Sequence, residues 1–463
     1  MMIWRIPGDF MKIMIAGAGK IGSTLTRILS KEGHALTVID NQADILDTIA
    51  EQCDAIGVCG NAASMRVLER AGIRETRLLI AVTDADEVNL LACMIAHRLN
   101  PDVHTIARIR TPEYREQVYT LRDTFHLNMT INPELEAARA AARLLKYPGF
   151  LKIDTFAKGN VDIVELKIDE RSPLKDIRLK DLDHIVHCNI LICGVKRDGQ
   201  MIMPDGDFSI QQGDLIYVTA STANLRTLLQ NLGMLTKKTQ RVLIAGGGVI
   251  SYYLADELSR TGMACTIVEL NEERCRQLSD LLPKATIVHG DAGSQAFLDG
   301  EGIDDSDALV TLTGLDELNL IISLFGHYRN VNQVITKLSH TENNRMMDSL
   351  PIGSVISPKE LAANKIVRYA RALRNRTGAA ISVHSITGSN AEAIEFIVSK
   401  DTRHIGEPLK NLHIRPGVLL ASISHQGRVV IPKGDSTFAA GDDVVIVTDE
   451  KTHIETLNAI FMD

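Results

Sequence analysis

The chain contains one glycine-rich turn twice. IMIAGAGKIG occupies 13–22 and LIAGGGVIS occupies 243–251, each an apolar run that breaks at glycines and continues into a helical pattern. The repeat extends well beyond the turns. Asp40 is matched by Glu269, Gly60-Asn61-Ala62 by Gly290-Asp291-Ala292, Val82-Thr83 by Leu312-Thr313, and Asp86-Glu87-x-Asn89 by Asp316-Glu317-x-Asn319, at offsets of 229 to 230. A register held over that length marks a tandem duplication, so an architecture proposed for one half must also suit the other.

Within each copy, apolar runs of four to six residues alternate with amphipathic stretches of ten or more, the pattern of βαβ units. Strands are expected at 12–16, 35–39, 54–58, 78–82, 103–107 and 128–131, followed by an alanine-rich helix from Pro133 to about Lys146 that Tyr147-Pro148-Gly149 stops. The series returns at 241–245, 264–268, 285–289, 308–312, 333–337 and 354–356, with a helix from Pro358. Two shorter segments with β-type alternation also match each other: Pro173-Leu-Lys175 with Pro408-Leu-Lys410, Asp198-Gly199 with Gln426-Gly427, Pro204-x-Gly206 with Pro432-x-Gly434, and Gly213-Asp214 with Gly441-Asp442. Glycine and aspartate at these places are turn chemistry between short strands.

The expected fold class is therefore α/β. Two Rossmann-like, doubly wound parallel-sheet domains at 11–150 and 239–378 are each followed by a small α+β module, at 151–236 and 379–463. Composition agrees: 45% of residues are hydrophobic, but only 4% are aromatic and one is Trp, so the interior must be built from Ala, Val, Ile and Leu, as parallel sheets are. Residues 1–10 read as an extension upstream of the first strand, without structural duty.

Charge and cysteine usage exclude several functions. Fifty Lys and Arg against 58 Asp and Glu give a net charge of −8, which offers a polyanion no footprint, so no nucleic-acid partner is expected. The seven cysteines form no CxxC pair and read as reduced, mostly buried thiols, and no zinc site is expected. His184 and His187 stand three apart without further ligands, so no metal is expected there either. The sequence has neither a signal-peptide core nor 18 consecutive apolar residues.

The turns carry the chemistry. Between a strand and a helix, the first glycine permits the bend, the second lets backbone amides approach a diphosphate, and the third lets helix and strand pack closely. Gly17, Gly19 and Gly22 meet these roles, with Ala18, Lys20 and Ile21 between them, and the following helix N-terminus attracts an anion. Asp40, 18 residues beyond Gly22, is placed to accept the ribose hydroxyls. It would repel a 2′-phosphate, and no Arg follows immediately, so NAD or an adenosine nucleotide is favoured over NADP. The second copy offers Gly246, Gly247, Gly248, Val249 and Ile250 with Glu269 as the acid, but carries Ser251 where the third glycine is expected.

Residues following the later strands face the same crevice. Asn61, Ala62 and Asp291 lie toward an adenine edge; Thr83, Asp84 and Thr313 lie near the phosphates; Arg108 and Lys337 end the fifth strands, where a cation suits a di- or triphosphate.

GAGKIG with Asp40, the Gly60-Asn-Ala-Ala turn, Ala81-Val-Thr-Asp-Ala-Asp-Glu-x-Asn89 and Ile106-Ala-Arg-Ile-Arg-Thr-Pro112 together resemble the RCK, or KTN, domain family. The tandem order over practically the whole chain resembles the regulatory subunits of Trk-type potassium-uptake systems. That resemblance implies a cytoplasmic protein, peripheral on the inner face of the plasma membrane through a potassium-transporting membrane subunit. It further implies binding of NAD(H) and ATP or ADP, and assembly as a dimer or tetramer into a gating ring. Gly17 to Ile21, Asp40, Thr83, Asp84 and Arg108 are the positions that would touch nucleotide.

The principal alternative is an NAD-dependent oxidoreductase, which needs a general acid or base over the nicotinamide. Of the 14 histidines only His97 and His327 match between copies, and both sit late in a helix, where a structural role is expected. Catalysis is therefore not expected. A redox-sensing transcription regulator would need a basic recognition helix, and none is evident. Arg368, Arg371, Arg374 and Arg376 on the helix after Pro358 read as a solvated face or a contact for lipid headgroups or an acidic partner.

Overall fold

The computed structural model describes residues 10–156, 159–234, 238–339, 350–374, 380–385, 391–449, 452, 454 and 456–462. Residues 1–9, Arg376 and the expected domain limits at 236, 378, 379 and 463 lie outside that range.

The first sheet comprises β1 (Lys12–Ala16), β2 (Ala35–Asp40), β3 (Ala55–Cys59), β4 (Leu78–Ala81), β5 (His104–Arg108) and β6 (Met129–Ile131). Its spatial order is β3-β2-β1-β4-β5-β6, all parallel, with the order reversing between β1 and β4. The intervening helices are α1 (Lys20–Lys31), α2 (Ala43–Gln52), α3 (Met65–Arg70), α4 (Asp86–Leu99) and α5 (Pro112–Leu121), followed by α6 (Pro133–Lys146). Strands β1 and β4 are apolar almost throughout because helices cover both faces of the sheet.

The first small module contains β7 (Phe150–Phe156), β8 (Val161–Lys167), α7 (Asp183–Val186), β9 (Ile190–Arg197), β10 (Gln200–Ile202), β11 (Leu215–Ser221) and α8 (Thr222–Asn231). Its antiparallel order is β10-β9-β11-β8-β7.

The second parallel sheet repeats the first: β12 (Arg241–Ala245), α9 (Val249–Thr261), β13 (Ala264–Glu269), α10 (Glu272–Leu281), β14 (Thr286–His289), α11 (Gln295–Gly300), β15 (Ala308–Thr311), α12 (Asp316–Tyr328), β16 (Gln333–Lys337) and β17 (Ser354–Ile356). Its order, β14-β13-β12-β15-β16-β17, is the same doubly wound arrangement. After α13 (Pro358–Arg374) comes a second antiparallel module of β18 (Ser382–Ser385), β19 (Glu392–Ile397), β20 (Val418–His425), β21 (Arg428–Val430) and β22 (Asp443–Thr448). The β-rich faces of the two modules meet: Phe156, Ile163 and Tyr217 of one pack with Ala391, Ala393, Ala421 and Val447 of the other.

The chain divides into two compact units, and the division does not follow the repeat. One unit holds the first sheet together with α13, and the other holds the rest of the chain from Ala137. Helix α13 follows the second sheet but covers the first, burying Ala362, Ala363, Ile366, Val367 and Ala370 in the core that also contains Ile13, Leu25, Val38 and Ile80. Most of α6 lies in the other unit, where Gln333 at the start of β16 donates to the Leu144 carbonyl. The two terminal helices are exchanged between sheets. Arg371, expected on a solvated face or at an acidic or lipid partner, instead donates Nε and Nη2 to Glu32, and both side chains are largely buried.

Candidate functional site

At the carboxyl edge of the first sheet, each glycine of the turn has its own physical reason. Gly17 has φ +102°, and a Cβ there would lie 2.8 Å from the Thr83 amide nitrogen. A Cβ on Gly22 would fall 1.8 Å from the Gly17 carbonyl oxygen. Gly19 differs: its φ of −63° suits any residue, and a Cβ would meet nothing within 4 Å. Neither backbone conformation nor packing demands glycine at 19, which leaves close approach by something outside the chain. Helix α1 starts at Lys20 with no side-chain cap and no acid in its first turn, so its leading amides point into that space.

Asp40 closes the turn from β2. Its Oδ2 accepts from the Ala18 amide at 2.7 Å and its Oδ1 from the Gln42 amide at 3.0 Å. A carboxylate has about four lone-pair sites, so two hydrogen bonds leave acceptor capacity for a diol. Ala18 and Ile21 are buried, while Lys20 is exposed. Asn61 is exposed, with its Oδ1 taken by the Ala63 amide at 2.9 Å; Ala62 is buried beneath it.

The ends of β4 and β5 are tied together by Asn89, which is fully buried. Its Oδ1 accepts from the Thr83 amide and hydroxyl at 2.8 and 2.7 Å, while its Nδ2 donates to the Thr83 and Arg108 carbonyls at 3.2 and 3.0 Å. Arg108 is thereby fixed with its side chain only 11% exposed, 3.6 Å from Asp84 and 3.8 Å from Glu134, and its Nε has no partner. Burial pushes its pKa down, against the opposing pull of Glu134. A loosely paired, desolvated guanidinium at the end of the crevice is chemically suited to a phosphate. Asp86 buttresses the same edge, its Oδ2 accepting from the amides of Arg110 and Thr111.

The second turn reproduces this frame with altered detail. Gly246 has φ +100° and abuts Leu312; Gly248, like Gly19, has an unstrained φ of −68° and empty space where a Cβ would be. Helix α9 begins at Val249, again without a side-chain cap, and Ile250 is buried behind it. Glu269 accepts from the Gly247 amide at 2.6 Å and the Asn271 amide at 2.8 Å. Asn319 binds Thr313 and the Lys337 carbonyl as Asn89 binds Thr83 and Arg108. Lys337 donates Nζ to the Thr313 carbonyl, and Asp291 accepts from the Gly293 amide at 2.8 Å. Ser251 is fully buried, with its hydroxyl donating to the Gly246 carbonyl. Gly247 has no room for a Cβ against Leu278 and Glu269, whereas Ala18 carries one, so this turn is seated deeper toward β13 and α10.

Each copy thus gathers its expected residues along one sheet edge. The residues the sequence reading did not assign are Asn89 and Asn319, Asp86 and Asp316, Glu134 and Arg274. The repeated Asp-Glu-x-Asn string was their visible signal, except for Glu134 and Arg274, which have no counterpart of the same type.

Histidines and thiols sit elsewhere. His97 and His327 lie near the far ends of α4 and α12, helices that begin at the cleft edge and run away from it. His97 stacks on His126 with centroids 3.7 Å apart, in a cavity of about 650 Å³ at the amino edge of the first sheet. Burial pushes the thiols of Cys93, Cys193 and Cys265 up, to about 12, about 11 and about 11 respectively. Among the described residues no group of His, Cys, Asp and Glu could hold a metal, and no helix is long and apolar enough to cross a membrane.

Fold and site together define a tandem protein of two Rossmann-type domains, each with an uncapped, glycine-entered helix at the sheet's switch point and an antiparallel module behind it. Residues 13–133 and 242–358 match the TrkA-N domain, and residues 163–233 and 393–462 match the TrkA-C domain. The chain is 31% identical over 457 residues to the Trk system potassium uptake protein TrkA of Halomonas elongata, covering 97% of this chain and 98% of that one. It is 30% identical over 451 residues to the Trk system potassium uptake protein TrkA homolog of Archaeoglobus fulgidus, covering 97% and 100%. Among solved structures, the GsuK channel bound to NAD is similar in fold, with a TM-score of 0.60, 18% identity and coverage of 96% of this chain and 78% of that one. The chain belongs to the TrkA family of Trk-system potassium uptake proteins.

Proposed function

We propose that the chain is the nucleotide-binding regulatory subunit of a Trk-type potassium-uptake system, without catalytic activity, and that both glycine turns bind adenine nucleotides of the NAD(H) and ATP/ADP class. The observation that carries this reading is the pair Gly19 and Gly248, whose missing side chains leave space open directly in front of uncapped helix N-termini. Gly17 to Ile21, Asp40, Asn61, Thr83, Asp84 and Arg108 in the first copy, and Gly246 to Ile250, Glu269, Asp291, Thr313 and Lys337 in the second, are the proposed contacts. Membership of the TrkA family supports a potassium-transporting membrane partner, a location beside it on the cytoplasmic side, and assembly of several chains into a ring. The division at 11–150, 151–236, 239–378 and 379–463 is the domain plan this reading uses.

Mechanistically, a nucleotide regulates only if it binds one state of the assembly better than another. Helix α1 is suited to carry that difference. Its N-terminus faces the proposed phosphate site, and Glu32 at its other end is held by Arg371 of the exchanged helix α13.

The test is calorimetric titration of the intact chain with NAD, NADH, ATP and ADP, alongside Gly19→Val and Gly248→Val. A Cβ at either position meets no atom within 4 Å, so the added side chain enters open space. Each is expected to abolish one set of binding sites, and the double variant to abolish both together with nucleotide control of potassium flux through the reconstituted membrane partner. Unchanged binding in the double variant, or flux indifferent to bound nucleotide, would refute the proposal.

A further inference from the structure

At the amino edge of the first sheet, opposite the glycine turn, a cavity of about 650 Å³ opens between the ends of α4 and α5 and the starts of β5 and β6. Arg77 and Arg122 line it, and so do Asp102 and Asp123. Among the described residues none of these four side chains forms an ion pair. Arg77 donates Nη1 to the Asp102 carbonyl at 3.4 Å, and Arg122 donates Nε and Nη2 to the Leu127 and Asn128 carbonyls at 2.9 and 2.8 Å. Most of the five donors of Arg77 are therefore left to the cavity. Asn128, whose Oδ1 accepts from the Thr105 amide at 2.8 Å, leaves its amino group there too.

Three imidazoles complete the wall. His97 and His126 stack with ring centroids 3.7 Å apart, and His104 presents Nδ1 to the hydroxyl of Tyr369 at 2.8 Å. Burial, then the neighbouring His126, hold the His97 pKa below its ordinary value against the pull of Asp102; burial, then Arg77, do the same to His104. With the imidazoles neutral, the two arginines and the two aspartates cancel. Each imidazole that gains a proton then adds one positive charge that no acid of the lining offsets. The second copy does not repeat this wall. Asp307, spent on the amides of Gln240 and Arg241, stands at the register of Arg77, and Gln333 at that of His104.

We propose that this cavity is a further ligand site, for a dianionic oxyanion, free or as the phosphate group of a small molecule, which binds together with a proton. The volume lies in the range of small-molecule sites. Donors dominate the wall: guanidinium, amide and imidazole N–H groups give hydrogen bonds, and an oxyanion accepts them. Asp102 and Asp123 set the condition. While they are ionised and the imidazoles neutral, a dianion gains little net attraction, and a proton on the stacked pair tips the balance toward binding. The bound anion in turn offsets the repulsion between a charged His97 and a charged His126. Such coupling is reciprocal, so affinity rises as pH falls through the ordinary histidine range near about 6.5. The site is independent of the nucleotide reading, because both glycine turns lie at the carboxyl edges of their sheets.

The experiment titrates sulfate, whose charge is constant over the range used, into the full chain carrying both Gly19→Val and Gly248→Val, so that neither glycine turn takes the ion. Chloride matches the ionic strength at about pH 6 and at about pH 8. Saturable binding is expected, about tenfold tighter at the lower pH, with proton uptake read from the heats in buffers of different ionisation enthalpy. Arg77→Gln removes a guanidinium held by a single long hydrogen bond, so the fold should survive, and sulfate should bind about tenfold more weakly at both pH values. His126→Asn supplies a residue that tolerates the backbone φ of +52° and takes away one titrating ring. It should flatten the pH dependence and leave affinity at the higher pH unchanged. Inorganic phosphate and glycerol phosphate, compared at one pH, tell the two sources apart: the ester binding tighter assigns the site to the phosphate group of a small molecule, and the inorganic ion binding tighter assigns it to the free oxyanion. No saturable sulfate binding at the lower pH, equal affinity at both, or an Arg77→Gln chain that binds like its parent overturns the proposal.

Discussion

The Nδ1 of His104, at the start of β5, lies 2.8 Å from the hydroxyl of Tyr369 on the exchanged helix α13. The same register in the second copy is filled by Gln333, whose Nε2 donates to the Leu144 carbonyl of α6, also at 2.8 Å. Each exchanged helix is hooked by one polar side chain at the entrance to the fifth strand, and only the first hook can titrate.

A pH dependence of stability follows from that difference. Burial pushes the His104 pKa below its ordinary value, and the charge of Arg77 adds to the effect; His97 is lowered as well, by burial and then by His126. A histidine whose folded pKa is depressed makes the folded state bind fewer protons than the unfolded one. Its contribution is complete above the unfolded pKa of about 6.5 and declines as pH falls through that value. Thermal melts of the intact chain should therefore show Tm dropping between about pH 7 and pH 5. The variant His104→Gln, borrowing the residue of the second copy, should have a shallower slope. Tyr369→Phe, which removes the hydroxyl but keeps the ring, should cost about 1 kcal/mol at neutral pH. A slope identical in wild type and His104→Gln would show that the hook does not titrate in this range.

The third glycine gives a sharper contrast between copies. In the first turn a Cβ at Gly22 would collide with the Gly17 carbonyl, whereas Ser251 carries its Cβ and spends its hydroxyl on the Gly246 carbonyl. Gly22→Ser should cost about 1–3 kcal/mol by overpacking and should weaken nucleotide binding at the first cleft alone. Ser251→Ala keeps the carbon and loses only the hydrogen bond, an expected cost of about 1 kcal/mol. Denaturant melts and titrations of the two variants check both statements, and equal effects would show that the two turns are not seated differently.

Much of this was legible in the sequence, and the boundary has physical causes. Central strands such as Leu78–Ala81 are buried on both faces, so they read as unbroken apolar runs, and the glycine turns declare themselves through the residues that follow. The exchange of α6 and α13 was not readable. Ala137, Ala138 and Ala141 on one helix and Ala362, Ala363 and Ala370 on the other make similar small-residue faces, and such a face does not say which of two like sheets it will cover. Arg371 looked like surface charge because its partner Glu32 is 339 positions away. Arg274 escaped notice because the residue types of the two copies diverge just beyond the acid that ends the second strand. Its meaning appears only when its guanidinium is seen on the Gly247 carbonyl.

Asn89 shows how a repeated residue acquires its role only after the sheet closes. One side chain holds four hydrogen bonds across the ends of β4 and β5, so its loss strands the Thr83 amide and the Arg108 carbonyl in a buried place. Asn89→Ala should cost about 2–4 kcal/mol, since several buried groups lose their partner together, and should loosen Arg108. Asn89→Asp is the discriminating variant. It keeps the size and the acceptor but cannot donate to either carbonyl, so it should impair nucleotide affinity at the first cleft and leave the second intact. Normal affinity at the first cleft in Asn89→Asp would mean that the position of Arg108 does not matter to the ligand.

A second anchor of α13 is the ion pair of Arg371 with Glu32, and acid should release it. Burial alone would push the Glu32 pKa up, but the neighbouring His34 ring and the charge and hydrogen bonding of Arg371 outweigh it, so the carboxyl is held below its ordinary value. A carboxylate with a depressed folded pKa contributes stability that is present above its unfolded pKa of about 4.3 and is lost as pH falls through the folded value. Arg371→Met, which removes the cation but keeps most of the apolar bulk, leaves Glu32 desolvated beside His34, which is 3.7 Å away and has no hydrogen-bond partner at either ring nitrogen. Breaking a buried pair from one side costs about 3–5 kcal/mol, and the partial exposure of both side chains here places the expected loss at or below the lower end of that range. Because α1 carries the proposed phosphate site at its opposite end, the same variant should also change how much bound NAD stabilises the chain. Melts with and without NAD, at pH 7 and at pH 4, separate these effects. If Arg371→Met lowers Tm equally at both pH values, Glu32 is not the charge that Arg371 holds.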